Sequence, residues 1–325
     1  MDHQLFANIP PSIMRRVSSL NLNIPSQRCT EEVNEILQKT VLMGGKRLRP
    51  LLTFLMGQLF FVDEEVLDPY AKAIEMVHGA SLSHDDVIDN ATKRRGRPSI
   101  NILASNKKAV LAGDILLADV IVNLSELGNL TLVKEMSLII KDLSVGEWLQ
   151  LDAAMDRQYG RELITNIALK KTSSVMSWCC FVPAILSSRS PLVIRCAREF
   201  GAHLGHAFQL MDDTLDFNFD GKKDPLLDLQ NGQINSVLFE WLEMHPPIKE
   251  RFMAGENMAD LFHREGLAEA VAIVVKLAHE KLAAAKELLL VIERELHLNA
   301  TKSKEFQEVL KPIHLIIEYL GERRF

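Results

Sequence analysis

Two short acidic clusters carry the residues with the clearest potential for chemistry. Asp85-Asp86-Val87-Ile88-Asp89 and Asp212-Asp213-Thr214-Leu215-Asp216 lie more than a hundred residues apart and share the spacing D-D-x-x-D. Positions i and i+4 stack on one face of a helix, where like charges repel each other. We therefore expect a hard divalent cation, which prefers carboxylate oxygen, at these clusters. A solvated acidic face is the alternative for one cluster alone, and two copies embedded in apolar sequence disfavour it.

A glycine loop followed by basic residues has the composition of an anion site. Residues 44–50 read Gly-Gly-Lys-Arg-Leu-Arg-Pro. The proline predicts that the next helix covers residues 50–60, because proline is favoured in the first helical position. Three cations at a helix N-terminus suit a phosphate group. A basic surface loop without a ligand remains the alternative.

A second basic stretch follows the first acidic cluster. Four of the five residues 93–97 are lysine or arginine. Arginine matches phosphate geometry with parallel N–H donors. Carboxylates for the cations, followed by arginines for phosphate oxygens, predict a site for a metal–diphosphate complex. His78 and His84 face the same general region, and we assign neither as a metal ligand.

Composition and charge exclude several classes of protein. The chain has 325 residues, 47% of them hydrophobic and 25% charged, which is ordinary for a soluble globular protein. A net charge of −6 without a basic stripe disfavours nucleic acid as a partner. The four cysteines lack C-x-x-C spacing, which favours a reducing cytoplasm. We see no secretory signal and no uncharged stretch long enough to span a bilayer.

The hydrophobic periodicity predicts an all-α fold built as one large helical bundle. We expect residues 1–325 to form a single domain, with residues 1–29 as an N-terminal extension or first helix. Runs of β-branched residues with period 2 are absent from the sequence. The predicted helices begin or end near Thr30, Gly44, Pro50, Asp68-Pro69, Asp89, Ala109, Gly128, Leu192, Phe217, Asn257, Leu296, Ser303 and Leu320.

In these residues the chain resembles the trans-isoprenyl diphosphate synthases, or polyprenyl synthases, of the long-chain type. The resemblance covers roughly residues 30–240 in order, together with the C-terminal tail. Any one of these motifs alone is a weak indicator of the family, whereas six motifs in the family's order are a specific one. The matching segments are Gly44–Pro50, His78–Arg95, Gly113-Asp114, Gly146-Glu147 with Gln150, Lys171-Thr172, and Phe208-Gln209 with Asp212-Asp213.

The resemblance implies an all-helical fold with a central active-site cavity, a homodimer, and three Mg²⁺ ions between the aspartate clusters. It implies condensation of isopentenyl diphosphate with an allylic diphosphate, and an apolar product that is delivered to a membrane. The implied metal ligands are Asp85, Asp89 and Asp212, with Asp86, Asp213 and Asp216 acting directly or through water.

The resemblance also implies roles for the cations and for two polar residues near the reacting atoms. The allylic diphosphate would be held by Arg94, Lys171 and Lys223, and isopentenyl diphosphate by Lys46, Arg49, His78 and Arg95. Thr172 and Gln209, with Lys171, would line the site near the forming carbocation. Ionisation places negative charge on the diphosphate, and a dry apolar cavity protects the carbocation from water.

Small residues one to two turns before Asp85 predict a long product. Family members that stop early tend to carry an aromatic floor at this level, where this chain has Ala80 and Ser81. We expect a product of C30 or more, limited further down near Met76 or Val77. Ala80→Phe should shorten the product.

Two departures from the family pattern lie after the second cluster. The loop after Asp216 is shortened, and we favour Lys223 over Lys222 as its diphosphate contact. The G-K-x-T of some family members reads Gly232-Gln233-Ile234-Asn235, which removes one cation. Losing a charged hydrogen bond would weaken allylic binding by roughly 1–3 kcal/mol.

Three other functions would use some of the same residues. A non-catalytic subunit of a heteromeric prenyl synthase would show degraded aspartate motifs, and both are intact here. A metal phosphohydrolase of the HD type would use His84-Asp85 with His78 and leaves the second cluster unexplained. A di-iron bundle would need two E-x-x-H motifs, and Glu75-x-x-His78 has no second copy.

Overall fold

Helices make up nearly all of the regular structure, which confirms the all-α prediction. The structure is a computed structural model that describes residues 9–217 and 233–322. Its first half contains α1 Pro11–Ser19, α2 Glu31–Lys39, α3 Leu48–Leu59, α4 Glu64–Ile88, β1 Lys93–Arg94, β2 Arg97–Pro98, α5 Ile100–Leu103, α6 Asn106–Glu126 and α7 Leu130–Asp156. Its second half contains α8 Arg161–Ala168, a π-helical turn Leu169–Ser173, α9 Ser174–Leu186, α10 Pro191–Leu215, α11 Ser236–Met244, α12 Pro246–Met253, α13 Met258–Leu261, α14 Leu267–Glu295 and α15 Ala300–Gly321.

Side chains at the helix starts explain several of these boundaries. An oxygen of each residue accepts a hydrogen bond from a backbone N–H in the first turn, which would otherwise lack a partner. The helices capped in this way are α6, α7, α10, α11, α13 and α15, by Ser105, Asn129, Ser190, Asn235, Asn257 and Asn299.

The two helices that carry the acidic clusters lie at the centre of the packing. Helix α4 packs against α3 and α6, and α10 packs against α9 and α14. The helices α9 and α10 touch through their backbones. A Cβ on Gly201 would lie 2.5 Å from the Met176 carbonyl oxygen, and one on Gly205 would lie 2.5 Å from Ser173 Cα. Only glycine permits this approach, which holds α10 against the π-helical turn.

Two helix starts differ from the prediction. Helix α3 begins at Leu48, so Pro50 is its third residue. A backbone N–H at this position has no acceptor within the helix, so the helix loses no hydrogen bond because proline lacks this group. Helix α4 begins at Glu64, after Asp63, instead of at Asp68-Pro69. Its proline lies inside the helix near the exposed N-terminal end. The rule that proline starts a helix was therefore wrong at both positions.

The basic stretch after the first acidic cluster forms a β-hairpin, where the sequence predicted a loop. Lys93 pairs with Pro98 and Arg94 with Arg97. Arg95 and Gly96 form the turn with φ values of 52° and 76°. Positive φ at both positions of a two-residue turn is typical of type I′, and glycine adopts it without strain at one of them. The hairpin fixes the direction of the arginines.

The π-helical turn, which the sequence also did not predict, continues directly into α9. Lys170 of this turn forms an ion pair of 2.8 Å with Asp142 of α7. Short π-helical turns of this kind are often found at functional sites. Separately, within residues 9–217 and 233–322 no helix combines the length and the apolar character that crossing a membrane requires.

Candidate active site

The first acidic cluster lies at the C-terminal end of α4. Asp85 is in the last turn, and the backbone N–H of Asp89 donates to its carbonyl oxygen at 2.8 Å. Asp85 is half-buried and Asp89 is exposed. Burial raises the pKa of Asp85 to about 7, although Lys171 lowers it. A partly buried carboxylate of this kind is stabilised by a bound cation.

The middle aspartate of this cluster has a protein partner. Asp86 has no exposed surface, and its Oδ1 accepts a hydrogen bond from Arg94 Nε at 2.8 Å. Its Oδ2 accepts from the backbone N–H of Ile100 at 3.4 Å. The sequence predicted Asp86 as a metal ligand and Arg94 as a diphosphate contact. Both oxygens of Asp86 accept hydrogen bonds from protein donors in a fully buried position, and its role as a metal ligand, directly or through water, stays a prediction.

The second cluster repeats this arrangement at the end of α10. Asp213 is buried, and its Oδ1 accepts from Gln209 Nε2 at 2.8 Å. Its Oδ2 accepts from the backbone N–H of Ser236 at 3.0 Å. Burial raises the pKa of Asp213 to about 6, which the hydrogen bonds from Ser236 and Gln209 oppose. The half-buried Asp212 and Asp216 flank it, so in both clusters the outer carboxylates are the accessible ones.

Lys171 is close to both clusters, because it lowers the pKa of Asp85 and lines a cavity with Asp213 and Asp216. Its Nζ donates to the Glu147 carboxylate and, at 3.0 Å, to Gln150 Oε1. Helix α7 can approach because a Cβ on Gly146 would lie 2.7 Å from Lys171 Cγ. In the sequence, Glu147 and Gln150 belong to a motif that does not indicate their role. Their contact with Lys171 gives them one, which is to fix the position of its ammonium group.

Thr172 connects the π-helical turn to the second cluster. Its Oγ1 donates to Gln209 Oε1 at 2.7 Å, and Gln209 in turn donates to Asp213. The three side chains form one hydrogen-bonded chain. The predicted residues Lys171, Thr172 and Gln209 are therefore close together, as the sequence analysis expected of a single site.

Two cavities lie on either side of the Lys171–Glu147 ion pair. One has a volume of about 240 Å³ and includes Lys171, Gln209, Asp213, Asp216 and Gln233 in its walls. The other has a volume of about 220 Å³, with Asp85 and Glu147 at its polar end and an apolar wall that includes Ile88, Leu117, Ile140, Leu143, Trp148 and Leu151. This arrangement combines carboxylates, one cation and an apolar space.

Of the four residues predicted to limit product length, two line the apolar cavity. Val77 and Ser81 lie in its wall, two turns and one turn of the helix before Asp85, respectively. Ala80 is 1% exposed and Met76 has no exposed surface, and neither belongs to this wall. The reason is the helical period, because positions 77, 81 and 85 share one face of α4 and positions 76 and 80 lie on another.

The glycine loop forms a close contact with the hairpin. Gly44 and Gly45 have φ values of 71° and 76°. A Cβ on Gly45 would lie 2.9 Å from Arg95 Nη2, so a larger residue would displace the guanidinium. Arg95 donates to the Met43 carbonyl oxygen. Lys46 donates to the hydroxyl of Tyr319 on α15, which connects the loop to the last helix.

The remaining cations of this loop have unequal roles. Arg47 Nη1 donates to the Val17 carbonyl oxygen at 2.9 Å and so stabilises the packing of α1. Burial lowers the pKa of Arg49, although Glu75 raises it. Burial, with Arg49 nearby, also lowers the pKa of His78 well below its usual range. The predicted residues Arg49 and His78 thus lie close together.

The histidines do not support the alternative metal enzymes. His84 Nε2 lies 3.1 Å from the Val110 carbonyl oxygen and 3.4 Å from Asp114 Oδ1. Glu75 is 8% exposed, and its Oε2 has no hydrogen-bond partner among the described residues. No group of three or more His, Cys, Asp or Glu side chains in residues 9–217 and 233–322 could hold a metal ion by itself.

The donor set nevertheless fits Mg²⁺. This ion is usually bound by one or two carboxylates together with substrate phosphates, and it does not need a complete protein cage. The outer aspartates supply hard oxygen ligands of this kind. Lys223 and Lys222 lie outside the described residues. Gln233, which replaces a cation of the family motif, lines the cavity of the second cluster.

Comparison with known sequences gives one consistent family. The family model described as polyprenyl synthetase matches residues 30–273. The human all trans-polyprenyl-diphosphate synthase PDSS1 is 33% identical over 237 residues, which cover 69% of this chain and 57% of the human protein. Subunit 1 of the decaprenyl-diphosphate synthase of Schizosaccharomyces pombe is 32% identical over 307 residues, which cover 81% of this chain and 80% of that protein.

Comparison with solved structures gives the same fold. The polyprenyl synthase of Caulobacter crescentus CB15, solved with calcium and isoprenyl diphosphate, superposes with a TM-score of 0.79 at 23% identity. The alignment covers 99% of this chain and 97% of the other. At this identity the likeness shows the fold alone.

Proposed function

The chain belongs to the polyprenyl synthetase family, and on this premise we propose that it is a long-chain prenyltransferase. It would condense isopentenyl diphosphate with an allylic diphosphate to give an all-trans polyprenyl diphosphate of C30 or more. One observation carries the proposal. Lys171 lines a cavity with Asp216 of the second cluster and is close enough to Asp85 of the first to lower its pKa, and Asp85 in turn lines a cavity with an apolar wall.

The metal sites follow from the accessible carboxylates. We propose that Asp85, Asp89, Asp212 and Asp216 hold Mg²⁺, with three ions expected in each active site. Bound there, Mg²⁺ would neutralise negative charge on the diphosphate as the allylic carbon–oxygen bond breaks. Asp86 and Asp213 would act as the buried supports of this arrangement, because each is already hydrogen-bonded to protein donors.

The cations are divided between two diphosphates. Lys171, Lys223 and the face of Arg94 that Asp86 leaves free would bind the allylic diphosphate. Lys46, Arg49, His78 and Arg95 would bind isopentenyl diphosphate. Groups already fixed by the protein stabilise developing charge without reorganising during the reaction. Lys171 is fixed in this way by Glu147 and Gln150.

Thr172 is oriented to stabilise the allylic carbocation. Because its hydroxyl donates to Gln209, the oxygen lone pairs remain available to positive charge in the site. The double bond of isopentenyl diphosphate would attack the allylic carbon as pyrophosphate leaves. A proton is then lost from isopentenyl C2 to the departing pyrophosphate, which restores the double bond. The apolar cavity excludes water and receives the growing chain.

We further propose that two copies of the chain form a homodimer through α7. Large hydrophobic residues lie exposed along one face of this helix at spacings of three, four and seven residues, namely Leu138, Val145, Trp148, Leu151 and Met155. A monomer rarely exposes a continuous apolar stripe of this kind. A second copy would cover it in a two-fold interface. A cytoplasmic location with delivery of the product to a membrane accompanies this proposal.

A single elongation assay tests the function. The purified protein is incubated with Mg²⁺, labelled isopentenyl diphosphate and a set of allylic primers, and the products are separated by chromatography. We expect all-trans products of C30 or more, and none for Asp85→Ala. Elongation that appears only after a second subunit is added would favour the role of a partner in a heteromeric synthase. Release of phosphate without elongation would favour the phosphohydrolase.

A further inference from the structure

Asn235 lies where the N-terminus of α11 meets the second acidic cluster. Its Oδ1 accepts hydrogen bonds from the backbone N–H groups of Val237 at 3.1 Å and Leu238 at 3.0 Å. Its Nδ2 donates to Asp216 Oδ2 and to the Asp213 carbonyl oxygen, both at 3.3 Å. One amide group therefore caps a helix with its oxygen and contacts the cluster with its nitrogen.

The orientation of this amide is determined by its surroundings. The two backbone N–H groups can only be satisfied by the amide oxygen, because an NH₂ group would place donor against donor. The nitrogen must then point towards Asp216. The reverse orientation would also place the amide oxygen against a carboxylate. The helix cap thus fixes the donor that meets Asp216.

The next residue strengthens this arrangement. The backbone N–H of Ser236 donates to Asp213 Oδ2 at 3.0 Å. Two consecutive residues at the start of α11 therefore hold two aspartates of the cluster. Unpaired N–H groups and the helix dipole at an N-terminus favour negative charge, so the start of α11 stabilises the cluster as a whole.

We infer that Asn235 is a positioning residue, which turns the Asp216 carboxylate to the orientation in which it binds a divalent cation. The inference rests on the proposed function and adds a residue to it. Groups that orient a ligating carboxylate typically contribute 10- to 100-fold to metal affinity.

Substitutions at position 235 can separate the two roles. Threonine and aspartate both cap helices well. Asn235→Thr keeps the cap and lacks the second polar atom that reaches Asp216. Asn235→Asp keeps the cap and places a carboxylate against Asp216. The matched control is Asn299, which caps α15 by accepting from the Lys302 N–H at 3.0 Å and is far from the cluster.

The test measures the melting temperature of the complete chain against Mg²⁺ concentration, with inorganic pyrophosphate present. We expect the Mg²⁺ midpoint to rise about 10-fold for Asn235→Thr and further for Asn235→Asp. The same changes at Asn299 should leave the midpoint unchanged. Without Mg²⁺, the Thr variants at both positions should melt at similar temperatures, because both retain the cap.

Two results distinguish failure of the inference about Asn235 from failure of the proposed function. If wild type responds to Mg²⁺ with pyrophosphate and both Asn235 variants respond at the same midpoint, the inference is wrong and the proposed function stands. If wild type neither responds nor elongates a primer, both fail. An Asp216→Asn background provides the second check. There, Asn235→Thr should cause no further rise in the midpoint, and an additional 10-fold rise would show that Asn235 acts elsewhere.

Discussion

Arg94 donates from Nε to Asp86 Oδ1 at 2.8 Å, and its Nη2 lies 2.7 Å from the same oxygen. This pair joins the end of α4 to the hairpin and holds the middle aspartate of the first cluster in a buried ion pair. Asp213 occupies the same place in the second cluster, with Gln209 and Ser236 as its donors. Each D-D-x-x-D cluster thus combines accessible carboxylates with one buried support.

Breaking this pair should destabilise the protein. Arg94→Ala leaves the Asp86 carboxylate buried without its charged partner, and such a loss costs about 3 kcal/mol or more. We expect that decrease in the free energy of unfolding by urea. Arg97→Ala is the control, because Arg97 is exposed in the same hairpin and should change the free energy by less than about 0.5 kcal/mol. Equal effects of the two substitutions would contradict the role of the pair.

Asp85 should show the opposite behaviour. Burial opposes the charge on its carboxyl group, which is why its pKa is raised to about 7. Asp85→Asn should therefore keep or increase the melting temperature of the metal-free protein. It should also lower kcat by on the order of 100-fold or more, because a ligand for the charge-stabilising ion is lost. A variant with reduced stability and nearly full activity would mean that Asp85 is structural.

Product length should depend on Ser81 in particular. Its side chain lines the apolar cavity one turn before Asp85, so Ser81→Phe should block the cavity and shift the products to shorter chains. Ala80→Phe, which the sequence predicts to shorten the product, places its ring outside this wall and should cost about 1–3 kcal/mol in stability because Ala80 is buried. Chromatography of the products and urea unfolding of both variants test this. An unchanged chain-length distribution in Ser81→Phe would show that this cavity does not determine the length of the product.

Acid should destabilise the fold through His206. Burial, with Lys281 and His203 nearby, lowers the pKa of His206 from 6.5 to about 4. The unfolded state then binds more protons than the folded state between these values, so stability is lost as pH falls from about 6.5 to 4. The shift corresponds to roughly 3 kcal/mol. Asp85 and Asp213, whose pKa values are raised to about 7 and 6, act with the opposite sign in this window and do so equally in wild type and variant. Between pH 6.5 and 4, the free energy of unfolding of His206→Gln should therefore fall less, or rise more, than that of wild type, and identical pH profiles would contradict this contribution of His206.

The exposed face of α7 should control the oligomeric state. Met155 is 75% exposed within the apolar stripe, and Met155→Glu would place a charge in the proposed interface. We expect sedimentation to show a monomer for this variant and a dimer for wild type. Leu290→Glu is the control, since Leu290 is 52% exposed on α14 outside the stripe. A dimer that survives Met155→Glu and dissociates with Leu290→Glu would locate the interface elsewhere.

Much of the fold could be predicted because the signals are local. The helical period and the Gly128-Asn129 break gave α6 and α7 with small errors at their ends. The starts of α3 and α4 were wrong, because Pro50 is tolerated in the first turn of α3 and Pro69 inside the second turn of α4. The π-helical turn could not be predicted, since its extra residue is stabilised by contacts with α7.

The site was predictable in its residue types and less so in their contacts. Spacing identifies two carboxylate clusters, and it cannot distinguish the accessible Asp85 from the buried Asp86 one position later. That distinction depends on Arg94, which reaches the Asp86 carboxylate because the hairpin directs its side chain towards the end of α4. Asn235 was noted only as the end of a departing motif, because its contact with Asp216 joins residues across the connection between two helices. Long-range contacts of this kind have no periodic signal.

The π-helical turn Leu169–Ser173 behaves as a one-residue insertion in an otherwise continuous helix. The extra residue allows the consecutive Lys170 and Lys171 to reach Asp142 and Glu147 on the same neighbouring helix. Deleting one residue here would restore an ordinary α-helix and rotate the preceding segment by about 100° relative to α9. One of the two lysines would then lose its acidic partner. When sequences of this family are aligned, a gap of a single residue in this stretch therefore signals a rearranged wall of the active site, although every motif on either side would still match.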